Sequence, residues 1–429
     1  MSRLGTLLSR QFSWLKVYNY RLYFSGQLVS FIGTWMQRTG QAWLVLKLTG
    51  SPAALGTVTA LQFLPITLFT LFGGVFADRL PKRKLLIFTN TASMLQAFAL
   101  GMLVVTGVAE IWHVYAIALC LGLVNALDGP VRQSFAVELV GREQLVNAVA
   151  LNSSTFNMAR IVGPAVAGVI IGFAGNSTAF FLNAASFVPV IASFMLMRPA
   201  EMHAPPGGVV RGGNVFGKVA EGLRYARGTP AVLFLLIMLA AIGTFGFNFT
   251  VFIPLIAEFV LKVGPERFGL LTSCMGAGSL VAALTMAAFG KGSIRIIVAA
   301  AIAFSILLAS VALSPWFLLT GLLLAAFGAS SQVFSTNINT TLQVIVPDEL
   351  RGRVLSIYFL LMAGSTPIGG LLTGRMAEAI GVRETLVIEA VICAAGVGGA
   401  LAYRAVVARP RQESAPPGSL PDDGTVTAS

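Results

Sequence analysis

Charge is what this chain of 429 residues has least of: Asp, Glu, Lys and Arg together make up 11% of it, against roughly 25% in ordinary soluble domains. Histidine occurs only at His113 and His203, neither with a carboxylate or nucleophile at catalytic spacing. A histidine-based enzyme therefore lacks its parts, and no His/Cys/acid cluster has the spacing of a metal site. No GxxxxGK[ST] stretch occurs, which argues against a nucleotide-driven pump and leaves no cofactor to expect. The three cysteines, Cys120, Cys274 and Cys393, sit in separate apolar runs without the pairing of a redox dithiol, and read as small buried apolar residues.

What fills the space is hydrocarbon: 56% of the residues are hydrophobic and mean hydropathy is +0.82. A bilayer-spanning helix needs about 20 mostly apolar residues, whereas a barrel would show short alternating segments, which are not found. Apolar runs fall at 22–47, 53–77, 84–107, 111–136, 146–172, 177–197, 231–257, 267–289, 294–313, 315–341, 352–380 and 384–407. The expected fold is thus an all-α membrane protein of twelve transmembrane helices. The first run follows a basic, aromatic segment, exceeds a signal h-region in length, lacks an Ala-x-Ala cleavage site, and is expected to be retained.

The net charge of +12 reads as topology rather than as affinity for nucleic acid. With the N-terminus placed in the cytoplasm, 22 of the 29 Lys and Arg fall in cytoplasmic segments, four (Lys47, Lys262, Arg267, Arg383) outside and three within spans. That bias puts both termini in the cytoplasm of a multi-pass protein of the inner membrane. The expected organisation is a cytoplasmic segment (1–20), a six-helix bundle (21–197), a cytoplasmic linker with an amphipathic helix (198–230), a second six-helix bundle (231–407) and a polar, disordered tail (408–429). The halves echo each other, with Pro164 and Pro367 in matching Pro/Gly-broken helices, a pattern that points to secondary transporters.

The stretch GGVFADRLPKRKLL (73–86) lies between the second and third runs. With LTGSPAALG (48–56), NALDGPVRQSF (125–135), NMARIVGPAVAG (157–168) and PDELRGRV (347–354), it resembles the motif set of the major facilitator superfamily, in the drug and siderophore exporter branch. Gly74, Asp78, Arg79, Arg83 and Lys84 match the loop signature, and Pro81 stands where that signature has a glycine. The resemblance covers roughly residues 20–407 and implies a gating loop (Gly74, Asp78, Arg79, Arg83) in which Asp78 latches onto the eleventh helix. Lys82, Arg83 and Lys84 are expected at the lipid surface. The resemblance also implies an antiporter seam at Gly163, Pro164 and Gly168, whose small residues permit tight helix contact.

Charges at membrane depth are the sharpest candidates for a site, since each costs about 2.5–3.5 kcal/mol at a helix centre. Arg38, flanked by Gln37 and Gln41, and Arg160 are candidate cavity residues that suit an anionic or catecholate-like ligand; the alternative for each is an internal pair. Asn157, Asn248, Gln332 and Asn337 are further cavity candidates, although such a residue is more often an interhelical hydrogen bond than a ligand contact. Asp128 is the proton-coupling candidate, with a local salt bridge to Arg132 one turn on as its alternative. Glu378 and Glu389 rank below it. The expected function is a proton-coupled exporter of a siderophore-like molecule or hydrophobic drug by alternating access. Its expected partners are a small-molecule substrate, protons and the lipid bilayer, and the monomer is favoured. An importer or lipid-flipping transporter on the same fold, or a non-transporting sensor, is the alternative.

Overall fold

The structure is a computed structural model that describes residues 17–203, 215–289 and 293–407; among these the side chains of 70–79 and a few other helical residues are not described. Every regular element among the described residues is helical. The first three helices are α1 (Tyr18–Thr49), α2 (Pro52–Arg79) and α3 (Lys82–Val105). The stretch Ile111–Leu196 continues without a coil break, but Gly141 (φ 70°) and Gly175 (φ 79°) turn the chain where an L side chain would be strained. They divide it into α4 (111–140), α5 (142–174) and α6 (176–196). A short helix, α7 (Val215–Gly228), precedes α8 (Pro230–Val260), α9 (Pro265–Phe289), α10 (Ile294–Leu313), α11 (Phe317–Ile345), α12 (Asp348–Ile380) and α13 (Val382–Val407).

Ten of the described helical stretches are long and apolar enough to cross a membrane. One of them, Asn147–Leu196, holds both α5 and α6, and α1, diluted by its polar face, makes the twelfth span. α8 pauses at Gly246–Asn248 and ends in a π-turn at Ile256–Val260, while α12 pauses at Gly364–Ser365. Large apolar side chains face outward, Phe173 at 88% exposure and Leu318 at 77%, as they do when the surrounding solvent is lipid.

The turns assign two ends. Gly50, Gly107, Gly175 and Gly381 turn at the distal end, and Pro81, Gly141 and Pro347 at the end where α1 starts and α13 stops, here called the terminal end. Pro81 has an ordinary local cause: it occupies the position before α3 with φ −59°, the value its ring prefers, and its carbonyl accepts from the Leu85 N–H. A left-handed glycine is not needed there.

The structure corrects the surface placement of two loop bases. Lys82 pairs with Glu138 at 2.6 Å, both mostly buried. Arg83 donates to the carbonyls of Phe194 (2.6 Å) and Met195 (2.9 Å), satisfying orphan acceptors at the C-terminus of α6. The side chains at Gly74, Asp78 and Arg79 lie outside those described. The calls on 1–16, on 204–214 of the linker and on the tail 408–429 also lie outside the described residues.

The first and last six spanning helices meet along two seams, α5 on α9 and α2 on α12. Both use glycines as contact points. A Cβ on Gly168 would sit 2.6 Å from the Pro265 carbonyl, and one on Gly56 would sit 2.5 Å from the Gly370 carbonyl. Ser273 ties α9 to the Ile161 carbonyl of α5 at 2.5 Å. Glu378 of α12 caps α2 from across the second seam, accepting from Ser51 Oγ (2.6 Å) and the Ala53 N–H (2.9 Å). Ser51 in turn accepts from the Ala54 N–H at 3.1 Å, so residues from both halves close one helix terminus. These contacts run from the distal end to about midway.

Candidate functional site

Within α1, residues Gln27, Ser30, Thr34, Arg38 and Gln41 recur at helical spacing and form a polar stripe about 21 Å long. The stripe faces inward, because a cavity of about 130 Å³ is lined by it together with Gln62 of α2, Asn90 and Gln96 of α3, Asn125, Asp128 and Arg132 of α4, Phe156 of α5 and Asn183 of α6. A smaller cavity of about 60 Å³ shares Trp35, Arg38, Gln41 and Gln62 and reaches the other half at Phe249, Pro254, Phe268 and Thr272. Trp43 of α1 stacks on Phe268 of α9, with 5.8 Å between centroids and 19° between planes.

At the terminal side of the larger cavity, Asp128 and Arg132 form a fork. Arg132 Nε donates to Asp128 Oδ2 at 2.8 Å and Nη2 donates to the same oxygen at 2.5 Å. Arg132 Nη1 donates to Gln27 Oε1, and Thr89 Oγ1 donates to Asp128 Oδ1 at 2.7 Å. The local i, i+4 pair therefore forms, and it joins α1, α3 and α4 into one network.

Higher in the cavity the polar groups are under-used. Gln37 Oε1 accepts from Asn183 Nδ2 at 2.5 Å. Gln27 Nε2, Gln37 Nε2, Arg38 Nε and Gln41 Nε2 are buried without a partner. Three of these donors are fixed chemically: a guanidinium only donates, and the Gln27 and Gln37 carbonyls are already taken by donors. Arg38 is steadied by the Trp35 ring, 4.8 Å from its centroid, and not by a carboxylate. Buried donors left open inside a cavity suit a ligand rich in acceptors.

Thus Gln37, Arg38, Gln41 and Asp128 come together, and Gln27, Gln62, Asn90, Gln96, Asn125, Arg132 and Asn183 join them. The signal for the latter group was present in the sequence as amides inside apolar runs of the first half. The remaining cavity candidates line neither cavity. Asn157 donates back to Ser153 O (2.9 Å), Asn248 to Thr244 O (2.8 Å) and Asn337 to Val333 O (2.8 Å), each one turn back on its own helix, and Asn337 Nδ2 also reaches Met286 Sδ of α9 at 3.7 Å. Gln332 donates to Thr336 Oγ1 at 2.9 Å. Arg160 keeps Nε and Nη2 buried without a partner, and its carbonyl faces Gly276 in the α5–α9 seam. Gly168 and the Pro164 carbonyl meet α9, whereas Gly163 meets Trp35 of α1. Glu389 is wholly buried and accepts from Thr373 at 2.5 Å, between α12 and α13.

Twelve spanning helices, closed on each other at one end around a polar cavity at mid-depth, define a multi-pass secondary transporter. The sequence matches the transmembrane secretion effector family over residues 9–421. This chain belongs to that family, within the major facilitator superfamily. It is 26% identical to the staphyloferrin A transporter of Staphylococcus aureus over 372 residues, covering 85% of this chain and 91% of that one. The multidrug efflux pump Tap of Mycolicibacterium fortuitum is 27% identical, covering 80% and 85%. Macrolide efflux protein A of Streptococcus pyogenes is 24% identical, covering 89% and 96%. Among solved structures, a bacterial homologue of the human lysosomal transporter Spinster, inward-facing and occupied, superimposes with TM-score 0.70 at 13% identity over 90% of this chain and 96% of that one. The nucleoside transporter NupG gives 0.67 at 14% identity over 90% and 99%. At such identities the likeness is one of fold.

Proposed function

We propose that this chain exports a small, acceptor-rich organic molecule from the cytoplasm in exchange for protons, by rocking 21–197 against 231–407 about the cavity. The observation that carries the reading is the set of open donors around Arg38 in a cavity closed at the distal end. The excess of Lys and Arg supports a cytoplasmic terminal end, in keeping with a protein of the inner membrane. On that assignment the structure is open inward, ready to load from the cytoplasm. A staphyloferrin A transporter, a multidrug efflux pump and a macrolide efflux protein among the relatives support a small organic molecule as cargo.

Asp128 is the group we assign to protons. In the loading state it is a carboxylate held by Arg132 and Thr89. A proton arriving from outside breaks the fork and frees Arg132, so occupancy by proton and by cargo alternate. One proton moving inward supplies about 2.3 kcal/mol per 100 mV, enough for roughly a 50-fold cargo gradient. The protein works as a monomer in this scheme, since one chain supplies both gates and the cavity.

The smaller cavity favours a second cargo class, because Trp35, Phe63, Phe249 and Phe268 offer an aromatic surface to a hydrophobic drug. Uptake into everted membrane vesicles under an acid-inside gradient separates the two. Arg38→Gln raises KM for a polycarboxylate siderophore about 10- to 100-fold, the worth of a charged hydrogen bond, and leaves KM for a macrolide within about threefold. Equal effects on both cargoes, or none on either, defeat the assignment of Arg38.

A further inference from the structure

Far from the transport cavity, at the terminal end, α10, α11 and α13 leave a cleft of about 470 Å³ between them. Arg295 and Arg404 both line it, and among the described residues no carboxylate does. Neither arginine forms an ion pair with any described residue. Arg404 instead lies over the Phe234 ring at 5.5 Å from its centroid, a contact that fixes the plane of the guanidinium and leaves its edge of N–H donors open.

Two further features converge on the same cleft. α10 starts there with Ser293 in extended conformation and no side-chain cap from that residue, so the helix presents its N-terminal turn, Arg295 within it, to the cleft. Thr341 is 8% exposed and its hydroxyl has no partner. Thr34, Thr39, Thr57 and Thr272 all donate to the carbonyl one turn back, the default for a threonine in a helix; Thr341 leaves that bond unmade. Beside these polar groups Val344 is 79% exposed on the lipid-facing side.

We infer that this cleft binds the phosphodiester headgroup of an anionic phospholipid. The two guanidinium groups and the open helix N-terminus match a phosphate, the Thr341 hydroxyl matches a phosphoryl or glycerol oxygen, and Val344 continues the cleft onto the path of an acyl chain. A lipid is the source because the cleft opens where three helices leave the hydrocarbon, next to apolar surface that a free anion has no use for. The bound headgroup bridges α10, α11 and α13, and so ties together three helices of the second half at the leaflet that carries most of the positive charge.

The test uses the purified full chain in phosphatidylcholine nanodiscs with and without phosphatidylglycerol, read by native mass spectrometry for retained lipid and by thermal unfolding. The wild type retains phosphatidylglycerol and unfolds at a higher temperature with it. Arg295→Gln and Arg404→Gln each weaken retention about fivefold; lysine restores most of it at position 295 and less at 404, where the ring contact needs the planar guanidinium. Unfolding in phosphatidylcholine alone checks that the variants are folded. Lys84→Gln removes an exposed charge at the same end but outside the cleft, and leaves retention unchanged. Equal losses for Lys84→Gln and the two arginine variants overturn the site in favour of general surface charge. A thermal shift of the same size from inorganic phosphate without anionic lipid overturns the lipid as its source.

Discussion

Replacing Asp128 by Asn tests the coupling scheme at its weakest point, the choice between a proton carrier and a structural salt bridge. The substitution keeps the shape and an oxygen for Thr89, but leaves Arg132 charged with only neutral partners, Gln27 and Tyr23. Removing one member of a buried ion pair costs about 3–5 kcal/mol. Asp128 and Arg132 side chains are 15% and 17% exposed to a polar cavity, which moves the cost to the lower end, roughly 2–3 kcal/mol or a 30- to 150-fold change in an equilibrium. Proteoliposomes separate the two roles. Asp128→Asn lowers the thermal midpoint and abolishes accumulation driven by a pH gradient, while cargo-for-cargo exchange, which needs no proton, continues. Adding Arg132→Gln removes the stranded charge and restores stability without restoring accumulation. Accumulation by Asp128→Asn at the wild-type level, or its recovery in the double variant, refutes Asp128 as the proton carrier.

The gates offer two further tests. Glu378→Gln weakens two charge-assisted contacts at an exposed helix terminus, about 1 kcal/mol after allowance for solvent, so distal accessibility to a thiol reagent at Val58→Cys, buried beneath the latch, rises about fivefold; unchanged labelling dismisses the latch. Gly168→Leu drives a side chain into the Pro265 and Glu266 backbone and opens the distal seam. Distal labelling then increases and export falls at least tenfold, while an unaffected variant shows that the seam yields without cost.

The fold was legible because a bilayer allows few solutions: apolar runs of sufficient length, alternating basic loops and repeated Pro/Gly breaks leave little besides a two-fold twelve-helix arrangement. The first span shows where windowed hydropathy fails and helical spacing succeeds, since its amides dilute apolarity while their recurrence marks an inward face. Arg38, Gln37 and Gln41 were found because charge at membrane depth is rare. Gln62, Asn90, Asn125 and Asn183 were passed over because one amide in an apolar helix looks the same whether it meets a cavity or its own backbone. Asn248 and Asn337 illustrate the second case, each bonded to the carbonyl one turn back. The Lys82–Glu138 pair joins residues 56 positions apart and has no local signature.

Every residue around the larger cavity falls between Gln27 and Phe187. On the proposed reading, cargo held there travels with one half of the chain while the other swings past, and few of its bonds need remaking in the stroke. On the same reading, the side chains that meet a polar cargo can vary along the inward faces of 27–187 while the glycine contacts of the two seams, Gly56 and Gly168 among them, stay fixed.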